Sequence, residues 1–171
     1  IEELIPLQPK RIVIIDNLIR GSKANMKSFI NNPLIEFHEG DIRDLGLLEK
    51  CIAGADYVFH MAALRINACA ANPREGFDVM LKSTFEVADL CAKHQIKKVI
   101  YSSSASVYGL AQHFPTPETD NPYNNQTFYG AAKMWGEQLF RSYKFMSGLD
   151  YVALRYFNAY GPRMDTDGIY T

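Results

Sequence analysis

The chain has 171 residues, 47% of them hydrophobic and 22% charged, with a formal net charge of −1. That length suits one domain with a sizeable core, and the even charge balance, with no basic block, excludes a general nucleic-acid binder. No apolar run approaches the roughly 20 residues of a membrane span, and no secretory signal is visible at the start.

The elements follow in chain order. Residues 1–5 read as a helical fragment. Residues 11–16 form a β-branched run ending in a polar pair and predict a buried strand. Further strands are predicted at 34–40, 56–63, 98–102 and 150–156. Between them the apolar spacing predicts a short helix over 45–53 and a long one over 74–94, with Pro73 just before its start. A third helix covers 129–147, and Gly148 closes it as a C-cap would. Strand and helix alternate and the strands are nearly all apolar, so the fold class is α/β: a doubly wound, Rossmann-like parallel sheet covered on both faces.

Each strand ends in residues too polar or too small for a core: Asp16 and Asn17, Gly40 and Asp41, Ala62 and Ala63, Ser102 to Ser106, and Asn158. Ligands of open parallel sheets bind beyond the carboxyl ends of the strands, so these ends outline one shared crevice. Caps and turns explain some of the same residues. Cys51, Cys69 and Cys91 are odd in number and show no CxxC spacing, which favours buried thiols of a reducing cytoplasm over disulfides. His38, His60, His94 and His113 share no ligand spacing, so no metal is expected.

A dinucleotide fold needs a glycine-rich turn after its first strand, and neither GxGxxG nor GxxGxxG occurs. The ribose-binding acid of such folds lies about 20 residues after that turn, whereas only fifteen residues precede Asp16. The first strand and its glycine loop are therefore expected before residue 1. That strand is central in the order 3-2-1-4-5-6, so its neighbours would be left unpaired in mid-sheet. The end at 168–171 carries no stop signal, and the chain reads as an excerpt.

Tyr129 and Lys133 stand at i and i+4, on one face of a helix. Tyrosine is ordinarily a poor base, with a pKa near ~10, and a nearby cation favours the phenolate. The serine-rich segment 102–109 follows a strand, where a hydroxyl would reach a reacting oxygen; a turn or cap is the other reading.

Together with Asp16 to Leu18, Gly40 to Asp44, His60 to Ala63 and Leu154 to Arg163, these motifs run in one order along almost the whole chain. In that order they resemble the extended short-chain dehydrogenases/reductases of the NAD-dependent epimerase/dehydratase family. The resemblance implies NAD as cofactor, with Asp16 on the adenosine ribose and Asn17 beside it. Asp41 and Ile42 would line the adenine pocket, and Ala62, Ala63 and Leu64 would pack along the phosphates and ribose. Ser102 would flank the cofactor at the end of its strand. It further implies Tyr129 as acid/base, with Lys133 on the nicotinamide ribose tuning it, and Ser104 orienting the substrate hydroxyl. Tyr156 would lie near the nicotinamide, and Asn158 would contact the substrate diphosphate. Arg65 reads either as a surface cation or as a sugar or phosphate contact, and Tyr156 also suits core packing. At 78–82, before Ser83 and Thr84, relatives often carry an asparagine that is absent here.

Dehydratases and decarboxylases of the family place an acidic residue directly after the serine or threonine of the serine loop. Here Ala105, Ser106 and Val107 follow, which fits an epimerase better. The implied reaction is C4 epimerisation of a nucleotide sugar, with UDP the expected carrier, through a transient 4-keto intermediate. A dehydratase, an NAD(P)H-dependent reductase and a non-catalytic dinucleotide sensor are the alternatives. Residues 1–171 would be an incomplete NAD-binding and catalytic domain, lacking most of a C-terminal substrate domain. A cytoplasmic homodimer through helices 74–94 and 129–147 is expected, with neither nucleic acid nor membrane as partner.

Overall fold

A computed structural model describes residues 1–120, 124–161 and 163. Pro162 and the chain end at 168–171 lie outside the described residues. The opening predicted as helical is a turn leading into a short 3-10 helix, Ile5–Leu7, containing Pro6. Among the described residues, five strands follow in two parallel sheets. β1 (Ile12–Asp16) pairs with β2 (Ile35–Glu39), setting Ile12 opposite Ile35 and Asp16 opposite Glu39. β4 (Lys98–Ser104) lies between β3 (Tyr57–His60) and β5 (Tyr151–Tyr156). Its register sets His60 against Tyr101 and Ser104 against Tyr156.

Among the described residues no strand joins the two sheets. Their orders correspond to 3-2 and 4-5-6 of the doubly wound sequence 3-2-1-4-5-6, which is the split expected when the central strand is missing from the ladder. The fold is a parallel α/β Rossmann-like one.

Helix α1 (Leu45–Ile52) starts where the Asp44 carboxylate accepts the Leu47 N–H at 3.1 Å. α2 (Ile66–Ala71) was not anticipated; it is a short helix following the small residues after β3. The predicted long helix is one rod with a local defect. It starts as α3 (Pro73–Gly76), with Asn72 as N-cap and Pro73 inside the first turn. A π-turn spans Phe77–Lys82, and α4 (Ser83–Lys93) completes the rod. The wide turn frees carbonyls, and two hydroxyls take them up: Ser83 Oγ donates to Asp78 O at 2.9 Å and Thr84 Oγ1 to Met80 O at 2.7 Å. α5 (Phe128–Ser147) begins one residue earlier than predicted. Thr127 caps its start, and Gly148 ends it in the left-handed region at φ 76°.

The main core lies between the helices and one face of the three-stranded sheet. It joins Leu48 and Ile52 of α1, Val87 and Cys91 of α4, Val99 and Tyr101 of β4, and Phe140 of α5. All three cysteines are free and buried there or beside it, and desolvation raises the Cys91 thiol to about 12. Burial alternates along β3, β4 and β5, so the opposite face is bare: Tyr57, Phe59, Val152 and Leu154 are all exposed. The expectation of a sheet covered on both faces is thus corrected for the described residues. The apolar strands are those of a two-sided sheet, but the helices described here gather on one side.

Strand ends also shift. β3 stops at His60 rather than Ala63, because the next residues leave the ladder, and β4 runs on to Ser104 in register with β5.

Candidate active site

The carboxyl ends of β3, β4 and β5 meet the N-terminal turns of α5. Tyr129 and Lys133 stand one turn apart at the start of α5, as their spacing requires. Lys133 is buried, only 2% exposed, and its Nζ donates to the Ser102 carbonyl at 2.6 Å. The same ammonium lies 5.8 Å from the centroid of the Tyr129 ring and 5.2 Å from that of Tyr101. Desolvation lowers Lys133 to about 8, so burial brings it near neutrality without removing its charge at pH 7. The helix therefore delivers the tyrosine and its cation to the end of β4.

Ser104, the last residue of β4, caps the short 3-10 turn Ala105–Tyr108 that follows. Its Oγ accepts the Ser106 N–H at 3.1 Å and donates to Ser106 Oγ at 3.2 Å. The cap reading of the serine-rich segment is thus observed, and the turn stands at the carboxyl end of β4 beside the start of α5. Tyr156 is the register partner of Ser104 and is exposed, on the same face of β5 as Val152 and Leu154. Asn158 follows in the exposed segment after β5.

The first turn of α5 touches the serine turn closely. An added Cβ at Gly130 would stand 2.6 Å from Ser106 O and 2.3 Å from the Asn125 side-chain nitrogen. Asn125 donates to Ser106 O and accepts from both the backbone N–H and the hydroxyl of Thr127. Asn125 and Thr127 thereby tie the serine turn to the start of α5. Sequence reasoning missed both, although an Asn and a Thr just before a helix are readable capping signals.

At the other strand ends the predicted residues are built into struts. Asp16 is half-buried at the end of β1, and its Oδ1 accepts the Leu18 N–H at 2.7 Å. Gly21 folds back on it, for an added Cβ there would lie 3.0 Å from the same oxygen. Asn17 Nδ2 donates to Asp41 Oδ2 at 3.1 Å, bridging the ends of β1 and β2. Asp41 also receives Nε and Nη2 of Arg43 at 2.9 and 2.8 Å, and these hydrogen bonds hold its carboxyl well below the usual carboxylate range. Its carboxylate is occupied by protein donors, which leaves the half-buried Ile42 as the apolar surface beside it.

Beyond β3, Ala62 and Leu64 are half-buried and Ala63 is exposed. The Leu64 N–H points at Met80 Sδ, 3.2 Å away, and Arg65 occupies the N-cap position of α2 without a side-chain capping bond. Below this loop His60 is buried. Since the Thr84 hydroxyl donates to Met80 O, it accepts from His60 Nε2–H at 2.9 Å, which assigns the tautomer. Desolvation, aided by the Lys133 charge, lowers His60 to about 3 and keeps it neutral. His60 and Thr84 were not singled out as site residues; their pairing spans 24 positions and has no local signature.

The structure thus brings Ser102, Ser104, Tyr129, Lys133 and Tyr156 to one sheet edge, and Asp16, Asn17, Asp41 and Ile42 to the ends of β1 and β2. Two clefts, of 400 Å³ beside Pro73, Arg74 and Phe77 and of 370 Å³ between Arg43 and Glu86, are lined by neither Tyr129 nor Ser104.

The chain is similar to several known proteins. A UDP-glucose 4-epimerase of Halalkalibacterium halodurans is 31% identical over 157 residues, covering 90% of this chain and 45% of that protein. The solved UDP-N-acetylglucosamine 4-epimerase of Methanobrevibacter ruminantium M1, in complex with UDP-N-acetylmuramic acid, is 37% identical with a TM-score of 0.88, covering 94% of this chain and 51% of that one. The UDP-glucose 4-epimerase of Bifidobacterium longum, in complex with NAD+ and UDP, is 31% identical with a TM-score of 0.83, covering 91% and 48%. The chain spans about half the length of the relatives it matches. The model of the NAD dependent epimerase/dehydratase family matches residues 2–171. With the Tyr129–Lys133 pair, the serine-ended β4 and the acid-ended β1 in one frame, the chain belongs to the NAD dependent epimerase/dehydratase family.

Proposed function

We propose that the protein is a nucleotide-sugar 4-epimerase, acting on a UDP-hexose through a transient 4-keto sugar. The observation that carries this reading is Lys133, buried, bonded to Ser102 O and set beside the Tyr129 ring at the end of β4. Its support is the set of 4-epimerases the chain resembles and the absence of an acid at 105–107, where a dehydratase of the family would carry one.

The donor set fits a dinucleotide. Asp16 offers a carboxylate for ribose hydroxyls, Ala62 and Ala63 allow close backbone approach, and Lys133 lies where a second ribose would meet the tyrosine. Asn17, Ile42, Leu64, Ser102 and Tyr156 complete the cofactor side. NAD, when bound, supplies the acceptance and return of hydride at the sugar C4. The chain's own residues do the rest. The Tyr129 phenolic oxygen takes the proton of the C4 hydroxyl and later returns it, and the Lys133 charge favours the phenolate that does so. The Ser104 hydroxyl, already turned toward Ser106, re-orients to hold the reacting oxygen. Asn158 and Arg65 are the proposed substrate contacts.

Further elements of the reading concern the rest of the protein. The bare apolar sheet face and the split between β1 and β3 support the view of residues 1–171 as part of a larger NAD-binding and catalytic domain. A homodimer through the 73–93 rod and α5 accords with exposed Phe77, Phe85, Phe145 and Met146 on those helices. The three buried free thiols accord with a reducing, cytoplasmic setting.

The test is to incubate the full-length protein with UDP-hexoses, adding no cofactor, and to follow the C4 configuration by proton NMR. Appearance of the C4 epimer without net NADH is expected. Turnover only with added NAD(P)H would establish a reductase instead, and Tyr129→Phe should lower kcat by about 10²–10⁴.

A further inference from the structure

A buried carboxylate stands below the acid–base pair and takes no part in the proton transfer. Glu137 is one turn beyond Lys133 on α5 and is 8% exposed. Ser103 Oγ and Arg155 Nε, the latter at 2.9 Å, donate to its Oε1, and Arg155 Nη2 donates to Oε2 at 2.8 Å. Ser103 and Arg155 are register partners across β4 and β5, so a single carboxylate clamps two neighbouring strands to the helix. The remaining arm of the guanidinium, Nη1, donates to the Glu118 carbonyl at 2.8 Å, and its carbon lies 4.8 Å from the centroid of the Tyr108 ring.

The cluster adjoins the candidate site along β4, β5 and α5. Ser103 stands between Ser102, which receives Lys133, and Ser104; Arg155 precedes Tyr156. A buried ion pair adds little stability over apolar residues of the same size, so stability is a weak reason for placing one here. Direction is the stronger one. Three oriented hydrogen bonds forbid α5 from sliding or rolling on β4, and a misplacement of about 1 Å costs catalysis as much as 10²-fold.

We propose that Glu137 and Arg155 are positioning residues that set the depth of Tyr129 and Lys133 relative to Ser104, and that Arg155 holds the segment bearing Tyr108 and Glu118 beside them. This goes with the epimerase reading for its kinetic test, but its structural test is independent of it.

The variants are made in the full-length protein with NAD bound. In Glu137→Gln an amide donor faces the Arg155 Nη2 donor. We expect kcat to fall at least about tenfold, with the KM for UDP-hexose within about twofold and the bound NAD unchanged. Arg155→Lys keeps the charge and loses the fork, and a similar fall in kcat is expected. In the double variant Glu137→Leu/Arg155→Met both charges go; Tm should return toward the wild-type value while kcat stays down. Recovery of kcat along with Tm, or wild-type kcat in Arg155→Lys, overturns the proposal. Hydrogen exchange of the 104–108 amides supplies the second readout: faster exchange in the double variant supports the clamp, and unchanged exchange overturns it. If the wild type turns over no UDP-hexose, the epimerase reading fails alone, and the exchange result still decides the clamp.

Discussion

Lys133 and His60 are two basic side chains held in one dry region, and both lose stability to that placement. Lys133 falls to about 8 from an ordinary 10.5. Between those values the unfolded chain binds the proton and the folded one does not, so stability rises with pH across that window, and the burden is full below pH 8. It amounts to about 3 kcal/mol. Lys133→Met should therefore raise Tm at pH 7 by several degrees despite losing the hydrogen bond to Ser102, and should at the same time abolish turnover; a thermal melt beside a kinetic assay checks both. His60 falls to about 3 from 6.5, again through burial. Its unfolded form takes up the proton first as the solution is acidified, so stability drops between pH 6.5 and pH 3. Urea midpoints across that range should flatten in His60→Gln, which keeps a donor for Thr84.

Among the elements, the junction of the 105–108 turn with α5 is the tightest part of the site. Gly130 lies between the Asn125 amide and Ser106 O with no room for a methyl group. Gly130→Ala should push the first turn of α5 away from the serine turn, costing about 1–3 kcal/mol of stability. Because Tyr129 is the preceding residue, kcat should fall more than the melting temperature alone would explain, which steady-state kinetics well below Tm would show. The longer helices were legible, with Gly148 ending α5 as capping rules require, while the Thr127 cap, the short helices Lys23–Met26 and α2, and the π-turn escaped. A π-turn has no spacing of its own in an amphipathic pattern, since its hydroxyl partners Ser83 and Thr84 read as ordinary helix surface. The end of β3 was overextended because Met61 to Ala63 continue an apolar run that geometry, not composition, interrupts.

On the scale of the molecule, helices cover one face of the three-stranded sheet, and exposed Tyr57 and Phe59 lie on the other. An open apolar face of that kind binds dyes and neighbouring chains. The 171 residues expressed alone should enhance ANS fluorescence and associate with rising concentration, and a protein that embeds the same residues in a longer chain should do neither. Light scattering and dye titration on the two would tell them apart.

What the sequence determined by itself is whatever depends on neighbours along the chain. Nearly continuous apolar, β-branched runs mark the strands, apolar spacing marks the helices, the i, i+4 spacing puts Tyr129 and Lys133 on one face, and small or polar residues end the strands. Tertiary structure decided the rest, because it joins residues with no local relation: Asn17 with Asp41, His60 with Thr84, Ser103 and Arg155 with Glu137. Arg155 stands in the apolar strand β5, and Glu137 lies one turn past Lys133 on α5. That they answer each other follows only from the strand register and the packing of α5, because the Coulomb and hydrogen-bond terms that pair them act across space and leave no period in the sequence.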